Sequence, residues 1–181
     1  MAYYYLMAQL PHLYYEQKPP MSSEDFKALA KPLLNKSDFD LLNQITLEPQ
    51  DEVTGCNFID GWRKWDRALR SDLAKQRAIK LKREIPQGIT VTQMDAAAAA
   101  SKASDESSPL DGEILLDKAR WLAIDDIAGS DYFHRNSVFA YFLKLLLIER
   151  RLSFNAEKGF TEYKLLYASI VESVQNAGDP K

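Results

Sequence analysis

The sequence predicts an all-α fold: a helical bundle of about six helices with one long amphipathic helix and a flexible mid-chain loop. Three observations carry this expectation. The run 137–154, SVFAYFLKLLLIERRLSF, is apolar in almost every direction around a helix, so it must be covered on nearly all sides. The stretch 57–84 places Phe58, Trp62, Trp65, Leu69 and Leu73 three or four residues apart, the helical period. Cap-forming residues recur just ahead of such runs, at Ser22 and at Ser37.

Taken in order, 2–10 is rich in tyrosine and apolar residues. It is too short for periodicity to separate strand from helix, and the helical context favours helix. Pro11, Pro19 and Pro20 bracket a loop that carries Tyr14 and Tyr15 at the surface. Ser22 with Asp25 three residues on forms a capping-box pattern. The helix it opens has Phe26, Leu29, Ala30 and Leu33 as its apolar face, and Pro32 cuts it short. A second short helix starts at Ser37 with Asp40, making a helical hairpin.

The long helix 57–84 is capped by Asn57 or Asp60 and stopped by Pro86 and Gly88. At 1.5 Å per residue it is about 40 Å long, so its far end is expected to project from the body. The stretch 87–112 reads as a flexible insert: a brief extended piece near 89–92, a turn or two of helix capped by Asp95, then linker composition over 101–109. Helical spacing resumes over 113–127, with Trp121 expected to face the long basic helix. After the turn at Gly129 and Ser130 comes the apolar helix, ended by Asn155. Gly159 divides it from a last helix, 161–175, with Tyr163, Leu166, Tyr167, Ile170, Val171 and Val174 as its buried stripe. The whole of 1–181 reads as one helical domain.

Composition bounds the function. A hydrophobic fraction of 46% supports a real core. Net charge of −3 argues against a polyanion partner. The single cysteine, Cys56, leaves no internal disulfide framework and no cysteine cluster for a metal. Lys144 interrupts the apolar run, whose uncharged parts fall short of the roughly 18–20 residues a bilayer needs. The N-terminus has no positive region ahead of its apolar residues, so it does not read as a signal peptide.

No catalytic or cofactor motif is legible. The seven glycines form no phosphate-cradling loop. His12 and His134 lack partners at ligand spacing, and Asp125, Asp126 and Asp131 read as solvated carboxylates beside a turn, so no metal, cofactor or catalytic residue is expected. Charge gives the one lead. From Trp62 to Arg83 nine basic residues stand against two acidic ones; from Asp95 to Asp131 nine acidic residues stand against three basic ones. The plainest reading is that the two blocks pair on a solvated face. The sharper one is a protein-interaction surface built from Arg63, Arg67, Arg70, Arg77, Lys80 and Arg83. The largest concavity is expected to be apolar, between the core helix and the Trp62–Trp65 face.

The run YYYLMAQLP with KPPMSSEDFKAL, and the segment LLDKARWLAIDDIAGSDYFHRNSVFAYFLKLLLIERRL, resemble a small uncharacterised bacterial family. Its members are encoded among the subunits of V/A-type ATPases. The chain is also similar, over a smaller part of its length, to the C-type socket subunit of the V/A-type ATPase, the d-type in eukaryotes. There a Tyr-x-Tyr-x-x-Ala run precedes a short helical hairpin, and a helix like FAYFLKLLLIERR leads into an Arg-containing turn. Tyr3, Tyr5 and Ala8 match the first element and 139–151 the second. The socket subunit has three pseudo-repeated helical modules, and this chain has room for about one.

The resemblance implies a non-catalytic subunit of a rotary ATPase, acting like a reduced socket subunit between rotor ring and central stalk. Its partners would be V/A-type ATPase subunits, with no small-molecule substrate. It would be cytoplasmic and meet the inner membrane only through the complex. The alternative is a nucleic-acid or ribosome-associated protein binding through 62–83. Against it stand the negative net charge and the placing of the aromatics on the apolar stripe rather than among the basic residues.

Overall fold

The computed structural model describes residues 2–85, 93–154 and 156–177, and among these every regular element is a helix. They number eight, not about six: the N-terminal run and an alanine-rich segment add to the expected set. The chain divides into two compact units, Met1–Glu149 and Arg150–Lys181.

In the first unit, α1 (Ala2–Gln9) buries Leu6 and Met7, and the chain then leaves through Pro11. Helix α2 (Ser23–Ala30) opens with the expected capping box. Ser22 Oγ accepts from the Asp25 N–H at 3.0 Å, and Asp25 Oδ2 accepts from the Ser22 N–H. Helix α3 (Lys36–Asn43) starts earlier than the sequence suggests. Asn35 is its N-cap, accepting from the Asp38 N–H at 2.8 Å, so the cap pair is Asn35–Asp38 and not Ser37–Asp40. Asn caps at least as well as Ser, and it follows directly on the preceding leucines.

Helix α4 (Asn57–Lys80) has no side-chain cap of its own. Asp60 instead reaches back to the Thr54 N–H and hydroxyl at 2.9 Å and to the Gly55 N–H at 3.0 Å, pinning the incoming loop. Burial pushes the Asp60 carboxyl up; these hydrogen bonds and the charge of Arg63 outweigh that and hold it below its usual range. Gly61, which weakens the helix on propensity alone, sits against helix α6 (Pro109–Ala128). A Cβ there would meet Ile127 Cγ2 at 3.3 Å.

The segment expected to be an insert is partly helical. Helix α5 (Met94–Asp105) runs through much of the supposed linker, and α6 begins at Pro109 behind an N-cap at Ser108. The expected extended piece at 89–92 lies outside the described residues. Alanine is the best helix former, and Ala96, Ala99 and Ala100 are buried, so small side chains let α4, α5 and α6 pack closely. Gly112 serves the same end, since a Cβ there would meet Ala103 O at 3.1 Å. Asp95 does not cap α5. It accepts the Trp65 indole N–H at 2.5 Å, tying α5 to α4. The far end of α4 is therefore flanked by α5, where a free projection was expected: Lys80 donates to Ser104 O and pairs with Asp105 at 3.3 Å. Ile79, a candidate for the buried stripe, is exposed.

Helix α7 (Arg135–Ser153) is the core rod that its sequence demands. Every residue from Ser137 to Leu143 is buried, as are Leu145, Leu147 and Ile148. Phe26 of α2 stacks on Tyr141 and Phe142 at 5.4 and 5.5 Å, and Phe58 of α4 lies 6.3 Å from Phe139. The polar interruptions Lys144 and Glu149 both find partners. Lys144 pairs with Asp125 of α6 and lies over the Trp121 ring, and Glu149 accepts from the Ser23 N–H at 2.6 Å, at the positive end of α2. Trp121 faces this side and Tyr15, at 5.8 Å, instead of the basic helix. Among the described residues no helix is long and apolar enough to cross a membrane.

The second unit holds the end of α7 and helix α8 (Ala156–Ala177). Gly159 lies inside α8 and does not divide it from α7; Asn155 is outside the described residues. The stripe expected to be buried is bare: Tyr163, Leu166, Tyr167, Ile170 and Val171 are 37–62% exposed. Val174, the last member of that stripe, lies outside the residues whose side chains are described. The helical period locates an apolar face but does not supply a neighbour to cover it. Leu152, also counted as core, is exposed.

Candidate functional site

The basic face of α4 exists, but half of it is already engaged. Arg63 donates to the carbonyls of Glu52 and Gln44, at 2.5 and 3.1 Å. Arg67 donates to Gln50 O and pairs with Asp51 at 3.2 Å. Arg70 donates to Leu47 O at 2.9 Å and to Asp66 at 2.5 Å. Three guanidinium groups thus staple the loop 44–52, whose carbonyls have no strand or helix to satisfy them. Lys80 is held by Ser104 and Asp105. Arg77 and Arg83 are exposed or half-exposed and form no ion pair among the described residues.

The expected pairing of the two charge blocks occurs at Lys80–Asp105, but the buried pairing runs the other way. The two acids of the basic stretch, Asp66 and Asp72, are buried, and so is Arg120, one of three bases in the acidic stretch. Arg120 Nε bonds Asp66 Oδ1 at 3.1 Å and its Nη1 bonds Asp117 Oδ1 at 2.8 Å. Residues that oppose their block's sign turn inward, and most of the majority charges stay in water, where solvation is favourable.

A second surface has no counterpart in the sequence reading. Where α1 meets the 131–134 turn, Tyr4, Tyr5, Tyr132 and Phe133 form an exposed aromatic knuckle. The ring centroids of Tyr4 and Phe133 are 4.7 Å apart, those of Tyr132 and Phe133 5.2 Å and those of Tyr4 and Tyr5 6.0 Å. These separations are those of favourable aromatic pairs. All four residues remain 45–58% exposed.

A buried polar network fixes the knuckle from beneath. Asp38 of α3 accepts from the Tyr3 hydroxyl, from Asn35 Nδ2 at 2.6 Å and from Arg135 Nη1 at 3.2 Å. Burial first, then donation to the Asp38 carboxylate, pushes the Tyr3 hydroxyl up to about 12. Tyr3 therefore stays a neutral donor at physiological pH. The Asp131 carboxylate accepts from the Phe133 N–H, and its carbonyl accepts from Ser137 Oγ, fixing the turn. One signal was available: α1 carries no charged residue, so its outward tyrosines are not solvated by charge.

Concavities lie elsewhere than expected. The widest of those described, about 450 Å³, is an apolar groove between Tyr14–Gln17 and the Trp121–Leu122 side of α6. The hollow beside Trp62 is about 230 Å³ and is walled by the stapled loop and Arg63, Arg67 and Arg70, not by α7. Among the described residues no three acidic, histidine or cysteine side chains gather where they could hold a metal ion.

A family described as a protein of unknown function (DUF2764) matches residues 101–174. The matched span runs from the middle of α5 through α6 and α7 into α8; it does not include α4. No curated protein matches the chain, and no solved structure does.

Proposed function

We propose that this chain is a non-catalytic interaction subunit that assembles with V/A-type ATPase subunits, as a reduced counterpart of the socket subunit. The observation that carries the reading is the aromatic knuckle. It joins the two parts of the sequence that bear the resemblance, the tyrosine-rich N-terminus and the segment leading into the core helix. Exposed, rigid aromatic groups close to one another are the composition of binding hot spots. The network of Tyr3, Asp38, Asn35 and Arg135 holds them in place before binding, which lowers the ordering cost of association.

The nucleic-acid reading has less support. Arg63, Arg67 and Arg70 already donate to loop carbonyls, and a phosphate contact would have to break those bonds.

The test is affinity purification of the tagged chain from its native cells, beside a Tyr4→Ser/Phe133→Ser double variant. The wild-type chain is expected to bring down ATPase subunits and the variant to lose at least about tenfold of the yield. Capture of the ATPase by both alike, or by neither, sinks the reading.

A further inference from the structure

The bare face of α8 is a second docking surface, and it stands apart from the ATPase reading. Phe160, Tyr163, Tyr167 and Ile170 are spaced three, four and three residues apart. That is the spacing of a seam between two helices packed at a shallow angle. Leu166 and Val171 flank the seam. All six are 37–62% exposed, and Tyr163 and Tyr167 stack on each other at 6.2 Å.

Within its own unit nothing covers this face, because one helix cannot bury its own stripe. At these exposures the six side chains present roughly 700 Å² of mostly apolar surface, taking about 150–250 Å² for each full ring. A patch of that size exceeds the largest found on most monomers. We propose that the partner is a second copy of this chain, bound α8 to α8.

Three features favour that occupant. Two such faces together remove about 1,400 Å², inside the range of specific interfaces, roughly 1,200–2,000 Å². The seam is uncharged, so it does not select a partner of opposite sign. Lys164 at its edge lies over the Phe160 ring of its own helix, 4.4 Å from the centroid. The polar side of 160–171 carries Glu162 as well as Lys164, not the lysine- and arginine-rich face of a lipid-surface helix. A two-fold axis then sets each apolar face against its equal.

Sedimentation velocity of the purified full chain across a dilution series is the experiment. The expected result is a dimer that dissociates on dilution. Ile170→Glu should weaken it at least about tenfold. Leu165→Glu should leave it unchanged, since Leu165 lies on the opposite side of α8 at about 100° per residue. Leu166→Cys, near the middle of the stripe, should cross-link between copies under mild oxidation, and Leu165→Cys should not; the native Cys56 is buried.

A wild-type chain that is monomeric at every concentration overturns the proposal, whether α8 then proves to bind another protein, a lipid vesicle or the chain's own body. So does a dimer indifferent to Ile170→Glu. If that substitution melts α8, seen as lost helical circular dichroism, the cysteine variants decide: no cross-link at position 166 overturns it.

Discussion

Helices α7 and α8 are two long apolar helices of the chain's second half, and they end in opposite circumstances. Around α7, side chains from α2, α4 and α6 close in, and even Lys144 and Glu149 are given partners. α8 keeps its tyrosines, leucines and isoleucine in water. The difference lies less in composition than in distribution. An apolar surface all round the axis forces other elements to wrap it, whereas a one-sided stripe asks for a single neighbour and can wait for one from another molecule.

The largest effect should separate the two helices outright. Phe142→Ala in α7 is expected to destabilise the Met1–Glu149 unit by about 3–5 kcal/mol in denaturant unfolding, because it empties a fully enclosed site. Tyr167→Ala in α8 should change the same transition by under about 0.5 kcal/mol at concentrations where the chain is monomeric. Equal losses would mean that α8 is a covered helix after all.

A smaller effect tests the wrapping. Arg120→Ala removes the cation shared by Asp66 and Asp117 and should cost about 3 kcal/mol by thermal or chemical unfolding. Arg67→Ala, on the exposed staple, should cost under about 1 kcal/mol.

The smallest effect is acidic. The Asp60 carboxyl lies below its ordinary 3.8 in the folded chain. Its contribution is therefore present above that value and lost as pH falls through the lower folded one. Below about pH 4 the wild-type chain should lose roughly 0.5 kcal/mol more than Asp60→Asn, a figure kept small by the exposure of the group. Parallel pH profiles for the two would remove Asp60 from the account.

The sequence announces α2 and α7 plainly. One is marked by a local hydrogen-bond pattern, Ser22 with Asp25, and the other by an apolar run that only a core can hold. It hides α5, because five consecutive alanines have no period and 101–109 has the composition of a linker. Packing on α4 and the Trp65–Asp95 bond settle that segment as helix.

Charge counting found the basic face, but it could not show that Arg63, Arg67 and Arg70 would turn to backbone carbonyls of their own chain. Nor could it show that Asp66 and Arg120 would go inward against the sign of their blocks. The knuckle escaped for a related reason. Tyr4 and Phe133 are 129 positions apart by their residue numbers, and no local pattern brings them together.

The inward turn of Asp66, Asp117 and Arg120 sorts the molecule's electrostatics by reach of solvent. Mobile ions screen the surface pairs, such as Arg67–Asp51, within a Debye length of about 8 Å at physiological ionic strength. They do not enter the space between α4 and α6. Rising salt therefore slackens the outer skin of this protein, stapled loop included, while the keel beneath it keeps its alignment.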